Sequence, residues 1–331
     1  MSSIHERGRQ GKAPGGWRRR YRILEERGPT CLMAEDTRLR RRVVIRLRER
    51  ARERGPSRSV REAQVLERAA RNNPNVPRVL DRWFEGEREF LVLEHITGTP
   101  LNELLQAGSA QGKPYFAPEE SHRMVLGLAR GLFALHRNGI CHGDLKPANL
   151  VVTRNNRLAM IDFGSAWSGP LRRGTRDRGT MGYAAPEQWH AEALVDERAD
   201  QFSLSAILYQ MLTNELPWEG LGGTVVEACA GAVPPLKLPS AYDVARGRSW
   251  AALDPVVERG LRVDKDARFE TTQAWLRALE EAAPDRRQRR ADELVTGARG
   301  EFIARLFSRW QMVAGALVEF VMRLFSRWRK K

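Results

Sequence analysis

The sequence is short of lysine, cysteine and long apolar runs, and each shortage removes a class of protein. Only seven of its 56 basic residues are lysine, and none lies between Lys12 and Lys113. Any chemistry in the first third of the chain that calls for an ammonium group must be done by arginine. The three cysteines, Cys31, Cys141 and Cys229, are odd in number, far apart and without metal-ligand spacing, which argues against a disulfide framework or a zinc module. No run of about 18 uninterrupted apolar residues is present, so a membrane-spanning helix is not expected. The opening MSSIHERGRQGKAPGGWRRR has charges and glycines where a signal peptide has an apolar stretch, and the expected location is therefore cytoplasmic.

What is present is a chain of 331 residues, 42% hydrophobic, with a net charge of +15. That length and apolar content are enough for a two-lobed core. The charge is uneven: residues 1–60 carry 18 basic and 7 acidic groups, residues 285–331 carry 12 and 5, and the middle is slightly acidic. Basic ends attract anionic membranes, nucleic acid or acidic proteins; genomic composition is the competing explanation for the arginine excess.

Along the chain, residues 1–20 read as a basic, disordered arm. Strand-like runs follow at YRILEE from Tyr21 and RRVVIRL over 41–47, then a helical pattern over 61–70, the turn NNPNVP, and two more strand-like runs over 77–84 and 89–96. This is the pattern of a small sheet-dominated lobe over 21–96. Beyond Gly98 long helical patterns take over, clearest at 119–137, 198–214 and 273–281, so 97–284 reads as a larger helical lobe. The class is α+β, with the site expected in the cleft between lobes.

Residues 285–331 read as a basic linker and an amphipathic helix. RLFSRW occurs at 305–310 and again at 323–328. Eighteen residues at about 3.6 per turn bring both copies to one face. Such a helix, over 301–331, suits an anionic membrane surface at the inner face, a partner groove, or the chain's own catalytic domain. Glu319 and Arg323 make spanning the weakest option.

The segment ICHGDLKPANLVVTRNNRLAMIDFGSA carries the chemistry. Phosphoryl transfer needs a carboxylate to orient the attacking hydroxyl, a cation for the transferred group and oxygen ligands for magnesium. Asp144, Lys146 and Asn149 supply these within a few residues, and Asp162-Phe163-Gly164 follows. Here the chain resembles the eukaryotic-type protein kinases, in the style of bacterial members, over about residues 21–280. The resemblance implies a two-lobed kinase-like fold using ATP and Mg²⁺. It makes Asp144 the catalytic base, Lys146 the phosphate-neutralising cation, Asn149 and Asp162 the metal ligands, and Thr180 of GTMGY the residue packed against Asp144. Glu187 of Ala-Pro-Glu would pair with Arg268, and Asp200 would brace the catalytic loop. Leu66, His142 and Phe163 would stack in a regulatory column. Val44 and Val151 would enclose adenine, with Leu93 as gatekeeper and the backbone of Glu94 and Ile96 as its hydrogen-bonding hinge.

Three departures stand out. The glycine-rich phosphate loop is about four residues short and retains only Gly28. Arg46 stands where the family has a lysine paired with a helix glutamate, here Glu62, and the exchange is not conservative at a phosphate site. Gly143 replaces an arginine that reads loop phosphate, so phosphorylation at Ser168 or Thr175 is not expected to be the on-switch. The implied activity is serine/threonine phosphorylation of proteins, acidic ones if the basic loop over 171–179 guides substrate; nucleic acid is not favoured. The alternatives are a pseudokinase scaffold, favoured by Arg46 and the stunted loop, and a small-molecule phosphotransferase, which would lack Ala-Pro-Glu and its arginine.

Overall fold

The computed structural model describes residues 17–49, 58–112, 114–168, 171–172, 180–190, 192–217 and 252–283. The chain divides into two compact units, Met1–Leu238 with Asp254–Glu281 and Pro239–Leu253 with Ala282–Lys331. Both lobes described below lie in the first.

The small lobe begins with a helical turn, α1 (Trp17–Arg20), and a five-stranded antiparallel sheet of β1 (Tyr21–Glu26), β2 (Cys31–Asp36), β3 (Arg41–Glu49), β4 (Val79–Glu85) and β5 (Arg88–Glu94), ordered β1-β2-β3-β5-β4. Helix α2 (Arg58–Ala69) links β3 to β4. Period-two alternation along β3 decides the architecture. Val43 and Ile45 turn to a buried aromatic cluster, whereas Val44 and Arg46 line the interlobe cleft. In the cluster the Trp83 ring stacks between Tyr21 and Phe90 at 5.5 and 5.2 Å, and Trp17 packs on Trp83 and Phe90 at 5.4 and 5.1 Å. Trp17 also donates Nε1–H to Glu85 Oε2 at 3.1 Å.

This corrects the arm expected over 1–20: residues 17–20 belong to the lobe, because an indole among polar neighbours found an apolar sheet face to cover. Trp17 is 5% exposed. Trp17→Ala should therefore lower unfolding free energy by about 3 kcal/mol, the low end for a buried tryptophan because it sits on one helical turn at the margin of the sheet. Urea unfolding of the full chain checks this; a loss below about 1 kcal/mol would mean Trp17 merely rests on the cluster.

Beyond the hinge, the large lobe contains β6 (Gly98–Pro100), α3 (Leu101–Ala110), α4 (Pro118–His136), β7 (Ile140–Cys141), β8 (Leu150–Thr153) and β9 (Leu158–Met160). It continues through β10 (Trp167–Ser168), β11 (Leu171–Arg172), β12 (Leu194–Val195), α5 (Arg198–Thr213), α6 (Asp254–Gly260) and α7 (Thr272–Glu281). Pro118 opens α4 with Glu119 and Glu120 in its first turn, the arrangement that suits unpaired amides and the positive end of the helix dipole. Its buried stripe, including Met124, Val125, Leu128, Leu132 and Leu135, follows helical spacing. Helix α5 is buried on every side from Ala199 to Tyr209, as befits the centre of a lobe, and Asn214 in left-handed conformation ends it. The helices expected at 61–70, 119–137, 198–214 and 273–281 appear within a few residues of those limits. Strand β6, immediately after the hinge, has no apolar run to announce it.

The segment after α2 is tied to the large lobe by two buried asparagines. Asn73 Nδ2 donates to Gly131 O at 2.9 Å and Asn75 Nδ2 to Leu158 O at 2.6 Å, while Met160 N donates to Asn75 O at 2.7 Å. NNPNVP is thus more than a turn: it fastens one wall of the cleft to the other lobe.

Candidate active site

The cleft encloses about 580 Å³, a size suited to a small ligand. Strand register builds its roof: Met33 pairs with Val44, Val44 with Leu93, and Cys31 with Arg46, and all five of these side chains line it. Val151 and Ile161 lie opposite, with Glu94, His95 and Ile96 at the hinge. Val44, Leu93, Glu94, Ile96, Val151 and Arg46, all singled out from the sequence, line this cleft. Sequence reading missed Arg27 and Cys31, which also line it. A larger hollow of about 1020 Å³ shares only Glu94, His95 and Ile96 with the cleft and holds none of the catalytic candidates.

The tip between β1 and β2 is tight. Arg27 N donates to Cys31 O at 2.9 Å and Leu47 N to Thr30 O at 2.8 Å, pinning it to β3. Gly28 has φ +119°, a conformation suited to glycine, and nothing lies within 4 Å of where its Cβ would be. Gly28 thus shapes the turn and is not among the residues lining the cleft. Burial raises the Cys31 thiol, partly offset by Arg46 and Arg27. Burial and the charges of Arg27 and Arg42 lower His95.

Between β7 and β8 the chain brings the catalytic candidates together. Asp144 Oδ1 accepts from Thr180 Oγ1 at 2.8 Å, and Oδ2 lies 2.9 Å from Lys146 Nζ. Lys146 Nζ also donates to Thr180 Oγ1 at 2.6 Å. Asn149 Nδ2 donates to Asp144 O and Oδ2 at 2.8 and 3.2 Å. The amide nitrogen is thus spent on Asp144, leaving the Asn149 carbonyl oxygen with lone pairs for a cation. The loop is held from below by Asp200, fully buried on α5. Its Oδ2 accepts from His142 N at 2.7 Å and lies 2.9 Å from His136 Nε2, and its Oδ1 accepts from Gly143 N at 2.8 Å. Burial by itself would raise this carboxyl; the hydrogen bond and charge from His136, with the Gly143 amide, pull it below its ordinary value. His136 and Cys141 stand close enough to Asp200 to suggest a metal trio. Both His136 ring nitrogens are already engaged, Nδ1 at 2.6 Å from Thr272 Oγ1, so the trio is better explained as a structural brace.

Phe163 lies against His142 at 4.9 Å between ring centroids, and Leu66 is fully buried. Glu187 and Arg268 form a bidentate buried pair at 2.8 Å on both contacts. Arg46 makes contacts that the sequence did not suggest. Its Nη1 donates to Asp162 Oδ1 at 2.7 Å and its Nη2 to Ile161 O at 3.4 Å. The expected partner Glu62 lies on α2, but its side chain is outside the described residues. Burial would raise the Asp162 carboxyl; the hydrogen bond and charge of Arg46, helped by the Gly164 amide, hold it at about 2. The ionised carboxylate and the Asn149 carbonyl are hard oxygen donors of the kind magnesium takes, so the donor set fits a divalent cation.

Gly143 has a reason in the tertiary structure that no local signal announced. Its φ is +76°, and a Cβ there would lie 2.1 Å from Trp167 Cζ3; Trp167 on β10 pairs with Cys141 on β7. The arginine that the family resemblance leads one to expect at 143 would collide with this indole. Gly143→Arg should cost about 1–3 kcal/mol in unfolding free energy. Gly143→Ala with and without Trp167→Ala separates the two terms: the clash should be relieved in the double variant and the backbone strain should persist. Additive losses would show that the indole does not impose the glycine. The loop over 173–179, with Thr175, and the tail over 301–331 lie outside the described residues, as does the Ser168 side chain. Among the described residues no helix is long and apolar enough to cross a membrane.

Comparison with known proteins agrees with this geometry. The family model described as protein kinase domain matches residues 33–274. A probable serine/threonine-protein kinase of Streptomyces coelicolor is 33% identical over 253 residues, 72% of this chain and 35% of the relative. Serine/threonine-protein kinase PknB of Mycolicibacterium smegmatis is 30% identical over 275 residues, 76% of this chain and 41% of that protein. PknB of Mycobacterium tuberculosis is 31% identical over 254 residues, covering 72% and 38%. The chain thus spans between a third and about two fifths of the length of these relatives. The family generally uses ATP and a divalent metal. Since the matched span contains most of the cleft, the whole catalytic loop with Asp200 beneath it, and the buried Glu187–Arg268 pair, the chain belongs to the protein kinase family.

Proposed function

We propose that the chain is a protein serine/threonine kinase transferring the γ-phosphate of ATP to protein hydroxyls. The observation that carries this reading is the closed set of contacts among Asp144, Lys146, Asn149 and Thr180. An acceptor hydroxyl entering beside Asp144 finds a carboxylate to orient it and take its proton, and Lys146 sits 2.9 Å from that carboxylate to offset charge gathering on the transferred group. Val44 and Val151 grip the adenine faces, the Glu94–Ile96 backbone takes its edge, and Arg46 reaches toward the phosphates. Asn149 and Asp162 would hold magnesium, which draws charge from the phosphate oxygens when bound.

A complete catalytic set supports turnover over a scaffold, which has no chemical need of all four groups. The Glu187–Arg268 pair supports a protein over a small molecule as acceptor, since it stiffens the segment that follows Thr180. Acidic substrates, attraction of 301–331 to an anionic membrane or a partner protein, and residence at the inner membrane face belong to the same proposal and rest on charge and sequence pattern alone. The test is transfer of labelled γ-phosphate to the chain itself and to a general protein acceptor. Incorporation that requires Asp144 supports the reading; incorporation equal to that of the Asp144→Asn protein would sink it.

A further inference from the structure

We infer that Gln188 is a positioning residue for phosphoryl transfer: its side-chain amide fixes the peptide bond that joins Gly143 to Asp144, and so aims the catalytic carboxylate. The inference rests on the proposal that Asp144 is the base, and concerns what holds that base in place. Glycine directly ahead of a catalytic residue leaves the backbone loose at the point where direction matters most. With no Cβ, Gly143 has many conformations open to it, and its φ of +76° is one of them. Asp144 follows immediately, so rotation of the intervening peptide would swing its carboxylate away from an acceptor hydroxyl.

Neighbouring groups remove that freedom from several sides. Gly143 N donates to Asp200 Oδ1 at 2.8 Å, and Gly143 O accepts from Gln188 Nε2 at 2.8 Å. Trp167 closes the side where a Cβ would stand. The nitrogen of the same peptide, Asp144 N, makes a long contact of 3.4 Å to His142 Nδ1, so the bond from Gln188 is the firmer of the two on this peptide. The other end of the Gln188 amide is also engaged: Oε1 accepts from Ala185 N at 2.9 Å. Gln188 is 2% exposed, and a bond made out of reach of water has no solvent partner to replace it.

The segment that supplies Gln188 is itself anchored. It begins at Thr180, whose hydroxyl donates to Asp144 Oδ1. Ala184 N donates to Thr180 O at 2.9 Å, and Ser203 Oγ on α5 donates to Tyr183 O at 2.8 Å. Helix α5 carries Asp200 as well. One helix and one short segment thus grip the loop around Asp144, the segment twice, with Thr180 on the carboxylate and Gln188 on the backbone before it.

The test is single-turnover transfer of labelled γ-phosphate by the full-length protein to a general protein acceptor, with Gln188→Met, which fills similar space without the amide. Transfer should slow about tenfold to a hundredfold, the scale of a small misplacement of a reacting group. The Kd for ATP and the acceptor concentration giving half the maximal rate should stay within about twofold of wild type. Trp17→Ala, which also lowers stability but in the small lobe, should keep the wild-type rate within about threefold. Gln188→Asn keeps an amide but is one methylene too short to span Gly143 and Ala185, and it carries the test if thermal melting shows Gln188→Met unfolded. A folded Gln188 variant within about threefold of the wild-type rate would overturn the inference. So would a fall matched by Trp17→Ala, or one explained by an equal loss of ATP affinity. A wild type that transfers no phosphate would instead overturn the kinase reading beneath it.

Discussion

Asp144→Asn should lower γ-phosphate transfer by about a thousandfold, within the range for removing a general base, with little change in unfolding free energy. The substitution keeps the shape of the side chain and removes its charge. Asp144 Oδ1 accepts from Thr180 at 2.8 Å, and Oδ2 faces Lys146 at 2.9 Å and Asn149 at 3.2 Å. All three neighbours present hydrogens to the carboxylate. An amide nitrogen must therefore oppose either the Thr180 hydroxyl or the Lys146 and Asn149 donors, which misplaces the acceptor hydroxyl as well as leaving its proton without a destination. Single-turnover transfer, with binding of ATP measured alongside, distinguishes a chemical loss from a binding loss. If transfer drops less than tenfold, Asp144 is not the base.

The second large effect is on folding. Arg268→Ala should lower unfolding free energy by about 3–5 kcal/mol, the usual consequence of stranding one member of a buried ion pair. Arg268 has a fully buried side chain, and each of its five N–H donors has an acceptor. Nη1 and Nη2 take the two Glu187 oxygens at 2.8 Å, Nε takes Arg262 O at 2.7 Å, and the remaining donors take Arg198 O and Val263 O at 3.0 and 3.2 Å. The guanidinium also lies 4.9 Å from the Phe202 ring centroid. Lysine at this position has too few donors and the wrong shape, so Arg268→Lys should recover only part of the loss. Replacing both partners, as Glu187→Leu with Arg268→Met, should cost less than Arg268→Ala because no charge is left buried alone. Denaturant unfolding of the three proteins decides the point; a loss near 0.5 kcal/mol for Arg268→Ala would mean solvent reaches Glu187 freely.

These two sites also show how much can be read without coordinates. Asp144, Lys146, Asn149 and Asp162 lie in one short stretch, and their chemistry requires those residue types at close spacing, so the linear motif and the site nearly coincide. Glu187, Asp200 and Arg268 are far apart in the chain and are legible only through the family resemblance; nothing in their neighbours' composition announces a buried partner. Strand alternation with Val43 and Ile45 is enough to place Arg46 on the cleft face. Its hold on Asp162, 116 residues away, is not legible, because side-chain reach across a cleft depends on the distance between lobes. Trp17 reads as part of a basic arm because local charge outweighs one indole in any pattern, yet burial against Trp83 and Phe90 brings it into the lobe.

The α+β class, the division into a sheet lobe and a helical lobe, and the catalytic loop are written in the order of residues. Hydrophobic period and motif spacing are local properties, and a chain carries them wherever it folds. Packing of the folded chain was needed to show that Arg46 neutralises Asp162, that Trp167 requires glycine at 143, and that Asp200 gathers the amides of His142 and Gly143. Each of these joins segments distant in the chain, and their energies depend on burial and on sub-ångström placement that only the packed lobes supply.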